Sequence, residues 1–189
     1  MHKHLVLASG LALSFATATI ASVGYAQGSG TTTVPTTRNP VELGIDAGAS
    51  FGLDDPHVTT ITIPGQHIRA GFFFSPRLEF EPSVGLNYQH ASGISLTNYE
   101  ALVGLLYHLS TDRRTSQLYV RPFVGFLGVN VNGDNLTQAA LGGGFGIKIP
   151  MYPRLSSRFE ANYTHTFSSG DADGSNAIGL LAGLSFYTR

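Results

Sequence analysis

Across residues 41–189 the side chains alternate between apolar and polar with a period of two, and the alternation recurs in segment after segment. No run keeps apolar residues at i, i+3, i+4 and i+7 through three helical turns, so this region reads as all-β. The stretch RLEFEPSVGLNYQ, residues 77–89, shows the pattern plainly: Leu78, Phe80, Pro82, Val84, Leu86 and Tyr88 alternate with Arg77, Glu79, Glu81, Ser83, Gly85, Asn87 and Gln89. Seven further segments repeat it, near residues 41–51, 59–74, 99–109, 118–132, 141–149, 158–167 and 177–188. An even number of strands, each with one apolar face, leaves one question open: which face lies inside.

The apolar faces together carry roughly 40 side chains, more than the narrow interior of an eight-stranded barrel holds. The opposite faces carry Gly, Ser, Thr, Asn and a limited set of charges: Glu42, Asp46, Arg69, Glu79, Glu81, Glu100, Arg121, Lys148, Arg158 and Glu160. These are of mixed sign and would neutralise one another inside a lumen. An apolar exterior with a polar interior, in segments of about 10 residues, is the pattern of an antiparallel up-and-down transmembrane β-barrel. Closure is also one of the two ways a backbone satisfies its hydrogen bonds in lipid. Phe51, Phe74, Tyr88, Tyr107, Tyr163, Phe167 and Phe186 lie near strand ends, where they would form aromatic girdles at the two bilayer interfaces. The alternative places the apolar face inside a soluble periplasmic, lipocalin-like carrier. That reading leaves the excess apolar area without a home.

Composition agrees with a chain whose surface is not the usual Lys/Glu one. Charged residues are 12% of the sequence and 23 of its 189 residues are glycine, against about 25% charged residues in ordinary soluble domains. The net charge of −1 offers no basic field for nucleic acid. There is no cysteine, which excludes disulfides, thiolate metal sites and a lipidated N-terminal cysteine. At the N-terminus a short basic start at residues 1–4 precedes an apolar run to about Val23 and the small-residue pattern Gly24-Tyr25-Ala26. This reads as a secretory signal peptide, residues 1–26, cleaved after Ala26, with an uncleaved membrane anchor as the alternative. Residues 27–40, QGSGTTTVPTTRNP, read as a flexible periplasmic lead-in to the barrel at 41–189.

Local irregularities can be placed in the same way. Pro64-Gly65 should bend or bulge the second segment, leaving open whether residues 57–74 form one strand or two. In the fifth segment Val129 and Val131 fall out of phase with Val120, Pro122, Val124 and Phe126, which predicts a bulge near Leu127-Gly128. Pro82, in mid-strand on the apolar face, removes a ladder donor and predicts a bulge or a gap in pairing. Polar loops are expected at residues 54–57 (DDPH), 91–96 (ASGISL), 133–138 (GDNLTQ) and 168–175 (SSGDADGS). Turns are expected at 75–76, 111–117 and 150–157.

The stretches RAGFFFSPRLEFEPSVGLNY, GLLYHLSTDRRTSQLYVRPFVGFLGV and GLLAGLSFYTR resemble the small eight-stranded outer-membrane β-barrels of OmpA/OmpX type found in Gram-negative bacteria. The resemblance spans residues 41–189 and indicates architecture more than activity. It implies Sec-type export and integral residence in the cell outer membrane. The implied partners are outer-membrane lipids, with barrel-insertion machinery and periplasmic chaperones during biogenesis. It also implies that the turns face the periplasm and the four polar loops face outward. Such barrels commonly end on an aromatic residue, whereas this chain ends Phe186-Tyr187-Thr188-Arg189, with its aromatics displaced from the terminus.

Candidate chemistry is sparse. NYQHAS at 87–92 and NYTHTFS at 162–168 each place His near Ser, as a few small lipid-modifying barrels do, but on segments three and seven of eight, hence on opposite walls. Neither unit offers a third group to orient its His, so no catalytic residue is assigned. The acids of DDPH and GDADG lack a full calcium-loop pattern, and Gly142-Gly143-Gly144 lies within a strand, so no metal or cofactor is expected. The sequence therefore points to a monomeric, non-enzymatic barrel with a structural or surface-interaction role and a lumen plugged by ion pairs. A narrow outer-membrane pore is the first alternative.

Overall fold

In a computed structural model, residues 40–55, 59–91, 94–170 and 172–188 are described. The expectations for residues 1–39, signal and lead-in, lie outside them. Eight strands follow one another: β1 (Val41–Gly52), β2 (Thr59–Phe73), β3 (Leu78–Ala91), β4 (Ile94–His108), β5 (Gln117–Val131), β6 (Asp134–Tyr152), β7 (Leu155–Thr166) and β8 (Ser175–Tyr187). Each is hydrogen-bonded to the next and β8 returns to β1, closing an antiparallel barrel. The expected fold class is the observed one. One end of the barrel, where β1 enters and β8 leaves, carries the β2–β3, β4–β5 and β6–β7 turns; the other carries the remaining connections. These are called here the terminal end and the loop end.

The apolar face points outward. Leu180, Val124 and Phe145 are each more than half exposed, whereas Glu42, Glu79, Lys148 and Arg158 are buried. This inverts the order of a soluble protein and removes the lipocalin-like reading, which requires the reverse. Strands of 12 to 19 residues exceed the roughly 9–11 that a tilted strand needs to cross a bilayer, so the barrel wall continues past the apolar belt.

That continuation corrects several boundaries. Residues 91–96, expected as a loop, are largely ladder: Gln89 pairs Leu96, His90 pairs Ser95 and Ala91 pairs Ile94. Likewise, of the expected loop 133–138 all but Gly133 is strand, Asp134 to Gln138 pairing Val131 to Leu127. The β5–β6 connection is the two-residue turn Asn132-Gly133, with φ of 53° and 101°. An Asn-Gly turn with both φ positive matches the twist of a hairpin and lets pairing run to its tip. Residues 150–157 contract similarly, since Pro150 pairs Ser156 and Tyr152 pairs Leu155, with one register shift at Met151.

The bulge expected near Leu127-Gly128 is absent, because β5 keeps one register against both β4 and β6 through those residues. Val129 and Val131 stay on the inward parity. They look out of phase only because beyond the belt hydrophobicity no longer distinguishes inside from outside. Pro64-Gly65 does interrupt the ladder: β1 pairs β2 at Asp46↔His67 and next at Gly48↔Thr62, so β2 is one bent strand. At Pro82 the outcome is a gap without a bulge. The β2–β3 ladder runs to Arg69↔Ser83 and resumes at Phe72↔Phe80 in the same register, while Pro82 still pairs Val103 of β4. A residue in an antiparallel ladder directs its N–H to one neighbour only, so the missing donor is felt on the β2 side alone. Pro122 repeats the pattern toward β4, pairs being absent between Gly104↔Phe123 and Tyr107↔Val120.

Candidate functional site

Alternation on eight strands sends every second side chain into a narrow lumen, and all ten charges expected there reach it. Lys148 of β6 donates to Glu42 of β1 at 2.5 Å and to Glu79 of β3 at 2.8 Å. Arg69 of β2 contacts Glu42, Asp46 at 2.9 Å and Glu81 at 3.3 Å, and donates to Ser185 of β8 at 2.7 Å. Arg158 of β7 reaches Glu81 of β3 at 2.5 Å and Glu160 at 2.6 Å. Arg121 of β5 grips Glu160 through Nε and Nη2, the latter at 2.6 Å. His67 stands between Asp46 at 3.1 Å and Glu100 at 3.0 Å.

These pairs join into one connected lattice, and the Arg158–Glu81 bridge crosses it from β7 to β3, strands on opposite walls. Desolvating so many charges is tolerable only because each finds an opposite charge and hydrogen bonds within the lumen. Glycine makes the room. A methyl group at Gly44 would overlap the Arg69 guanidinium, and one at Gly71 the Glu79 carboxylate.

Several partners were not singled out in the sequence. Tyr119 Oη accepts from Arg158 Nε at 2.6 Å and donates to Glu160 at 2.9 Å. His108 Nε2 lies 2.8 Å from Glu79 and its ring stacks on Phe73, over which Arg113 places its guanidinium 4.1 Å from the ring centroid. Leu102, Leu106 and Phe123 are also buried inside. Parity was the available signal: Tyr119 and Phe123 flank Arg121 at i±2, and His108 shares the phase of Glu100. Phe123 shares the face of Arg121 in the sequence, but an outward-lipid rule does not ask for apolar residues of that phase and marks only the charges as lumen residues.

Carboxylate oxygens of Glu42, Glu79 and Glu81 lie within 4.8 Å of one another, a spacing that a hard cation would suit. Here Lys148, Arg69 and Arg158 already supply the positive charge. The two Tyr-x-His units sit on β3 and β7, across the barrel from each other. In the second, His165 Nδ1 lies 2.9 Å from Asn176 Oδ1, to which Tyr163 also donates, and its ring meets Phe167 edge-on at 4.8 Å. His165 thus has rim partners and no hydrogen-bonded serine among the described residues.

The seven strand-end aromatics all point outward and are exposed. Phe51 and Tyr163 flank Ile178 through the β1–β8 and β8–β7 ladders, and Tyr88 and Phe167 also lie toward the loop end. Phe74, Tyr107 and Phe186 lie at the terminal end, where Arg77 donates to Tyr107 Oη at 3.3 Å.

Residues 6–186 match the family model described as the outer membrane protein beta-barrel domain. Among solved structures the chain is similar to Neisserial surface protein A, with a TM-score of 0.63 and 16% identity, covering 77% of this chain and 96% of that one. It is also similar to the outer membrane protein OprG from Pseudomonas aeruginosa, with a TM-score of 0.51 and 10% identity over 80% of this chain and 97% of that one. At such identities the likeness is one of fold. No curated protein sequence matches.

Proposed function

This chain belongs to the outer membrane protein beta-barrel domain family, and from that premise we propose that it is a structural or surface-interaction barrel whose lumen is closed by its own ion pairs. Integral residence in the outer membrane follows from the family. Sec-type export with cleavage after Ala26 is part of the proposal, as is an orientation with the terminal end in the periplasm and the loop end outside. The apolar belt and its aromatic girdles meet outer-membrane lipid. Insertion machinery and periplasmic chaperones handle the chain before it closes, and the folded protein is a monomer that binds no nucleic acid and catalyses no reaction.

The observation that carries the closed lumen is the wall-to-wall bridge from Arg158 to Glu81, with Lys148 reaching from β6 to both β1 and β3. A conducting path would have to displace buried, paired charges, whereas open channels line a water-filled pore with such groups. Planar bilayers loaded with the refolded protein are expected to stay electrically silent. The double variant Glu81→Ala/Arg158→Ala, which removes the central bridge as a pair, is expected to conduct. Discrete wild-type openings would replace this reading with that of a narrow pore.

A further inference from the structure

Toward the loop end the lumen is hollow. One cavity of about 200 Å³ is lined by His67 and Arg121 together with Leu102, Phe123 and Leu181. A second, of about 230 Å³, adjoins it, and Ser50, Glu100 and Leu127 border both. Glu100 differs from the other five lattice carboxylates in two respects. Its side chain is 30% exposed where theirs are at most 1% exposed. It is also the only one of the six with no Arg or Lys partner among the described residues, its ion pair being with His67, which it shares with Asp46. Asp46 has Arg69 as well.

Arg121 in the wall is already matched by Glu160, and the mouth of the hollow favours a cation. Among the described residues the loop-end connections carry Asp54, Asp55 and Asp173, Asp134 opens β6 beside them, and no Lys or Arg is present there, so the field at that mouth concentrates positive ions. The walls favour a hydrocarbon part, and a cavity of roughly 150 Å³ is known to take up a benzene ring. We propose that this hollow is a binding site for a small organic ammonium ion. The ammonium pairs with the Glu100 carboxylate, and its hydrocarbon lies against Leu102, Phe123 and Leu127. The site is independent of whether the lattice below it conducts.

The test uses the full chain refolded in zwitterionic detergent, with folding verified by its altered gel mobility before boiling. Benzylammonium chloride is titrated in and followed by amide chemical shifts, with uncharged benzyl alcohol as the matched probe. Saturable benzylammonium binding is expected, and Glu100→Gln should weaken it roughly tenfold or more, the cost of a charge-assisted hydrogen bond. Ala177→Leu, which fills the first cavity without altering charge, should abolish it. Equal affinity in wild type and Glu100→Gln would overturn the proposal. So would equal binding of the two probes, undiminished binding in Ala177→Leu, or loss only on neutralising Asp54 and Asp134, which would place the cation on the rim.

Discussion

Arg158 shows what a residue is worth in this lumen. It is buried, it joins Glu81 to Glu160, and Tyr119 hydrogen-bonds to its Nε. Truncating it leaves two carboxylates without that cation in a space water cannot readily reach, whereas removing a charge and its counter-charge together leaves less behind. Arg158→Ala is therefore expected to cost about 3–5 kcal/mol, read from urea unfolding of the refolded protein in detergent. Glu81→Ala/Arg158→Ala should cost less than the sum of the two single changes; strict additivity would show that the bridge carries no coupling. Residue identity in the sequence anticipated the membership of this lattice, since every charge of one parity was legible as inward. Its pairing was not. Whether Lys148 meets Glu42 or a nearer acid depends on strand register around a closed ring, and no local pattern encodes that.

At the scale of the element, the hairpin β5–β6 and the seam β2–β3 are opposites. The hairpin pairs without interruption from Gln117↔Lys148 to Val131↔Asp134 and turns on Asn132-Gly133. A side chain at Gly133, where φ is 101°, meets no neighbour within 4 Å, so its cost is backbone strain alone, about 1–2 kcal/mol for a β-branched residue. Gly133→Val is thus expected to fray the hairpin tip, seen as faster proteolytic nicking between β5 and β6 in membrane-embedded protein. Unchanged cleavage would mean that the tip is held by something other than its turn. The seam is legible in outline from Pro82 alone, because a residue without an N–H must leave a neighbour unpaired wherever it stands. Its side, toward β2, is decided only by the ladder. The extents of β4 and β6 were misjudged for a physical reason: beyond the lipid both faces of a hairpin meet water, so alternation fades while hydrogen bonding continues.

For the whole molecule the decisive quantity is the sign of the radial polarity. With Leu180, Val124 and Phe145 outside and the lattice inside, a charge placed on the belt has no partner and meets hydrocarbon. Leu180→Arg is expected to destabilise the inserted barrel by about 2–4 kcal/mol, measured as the folded fraction in lipid vesicles across a urea series. Leu181→Arg faces the hollow lumen instead and should be tolerated better. A reversal of that order would put the lipid on the other side of the wall. By itself the sequence determined the strand class, the number of strands and, through more apolar area than a narrow barrel can enclose, which face meets lipid. Period-two alternation and the volume of side chains are local or additive properties, and they survive without knowledge of contacts. The tertiary structure alone decided which charges pair across the lumen, where Pro82 leaves its gap and that Glu100 has no arginine or lysine ion-pair partner among the described residues. Those depend on the register of strands that meet only when the ring closes.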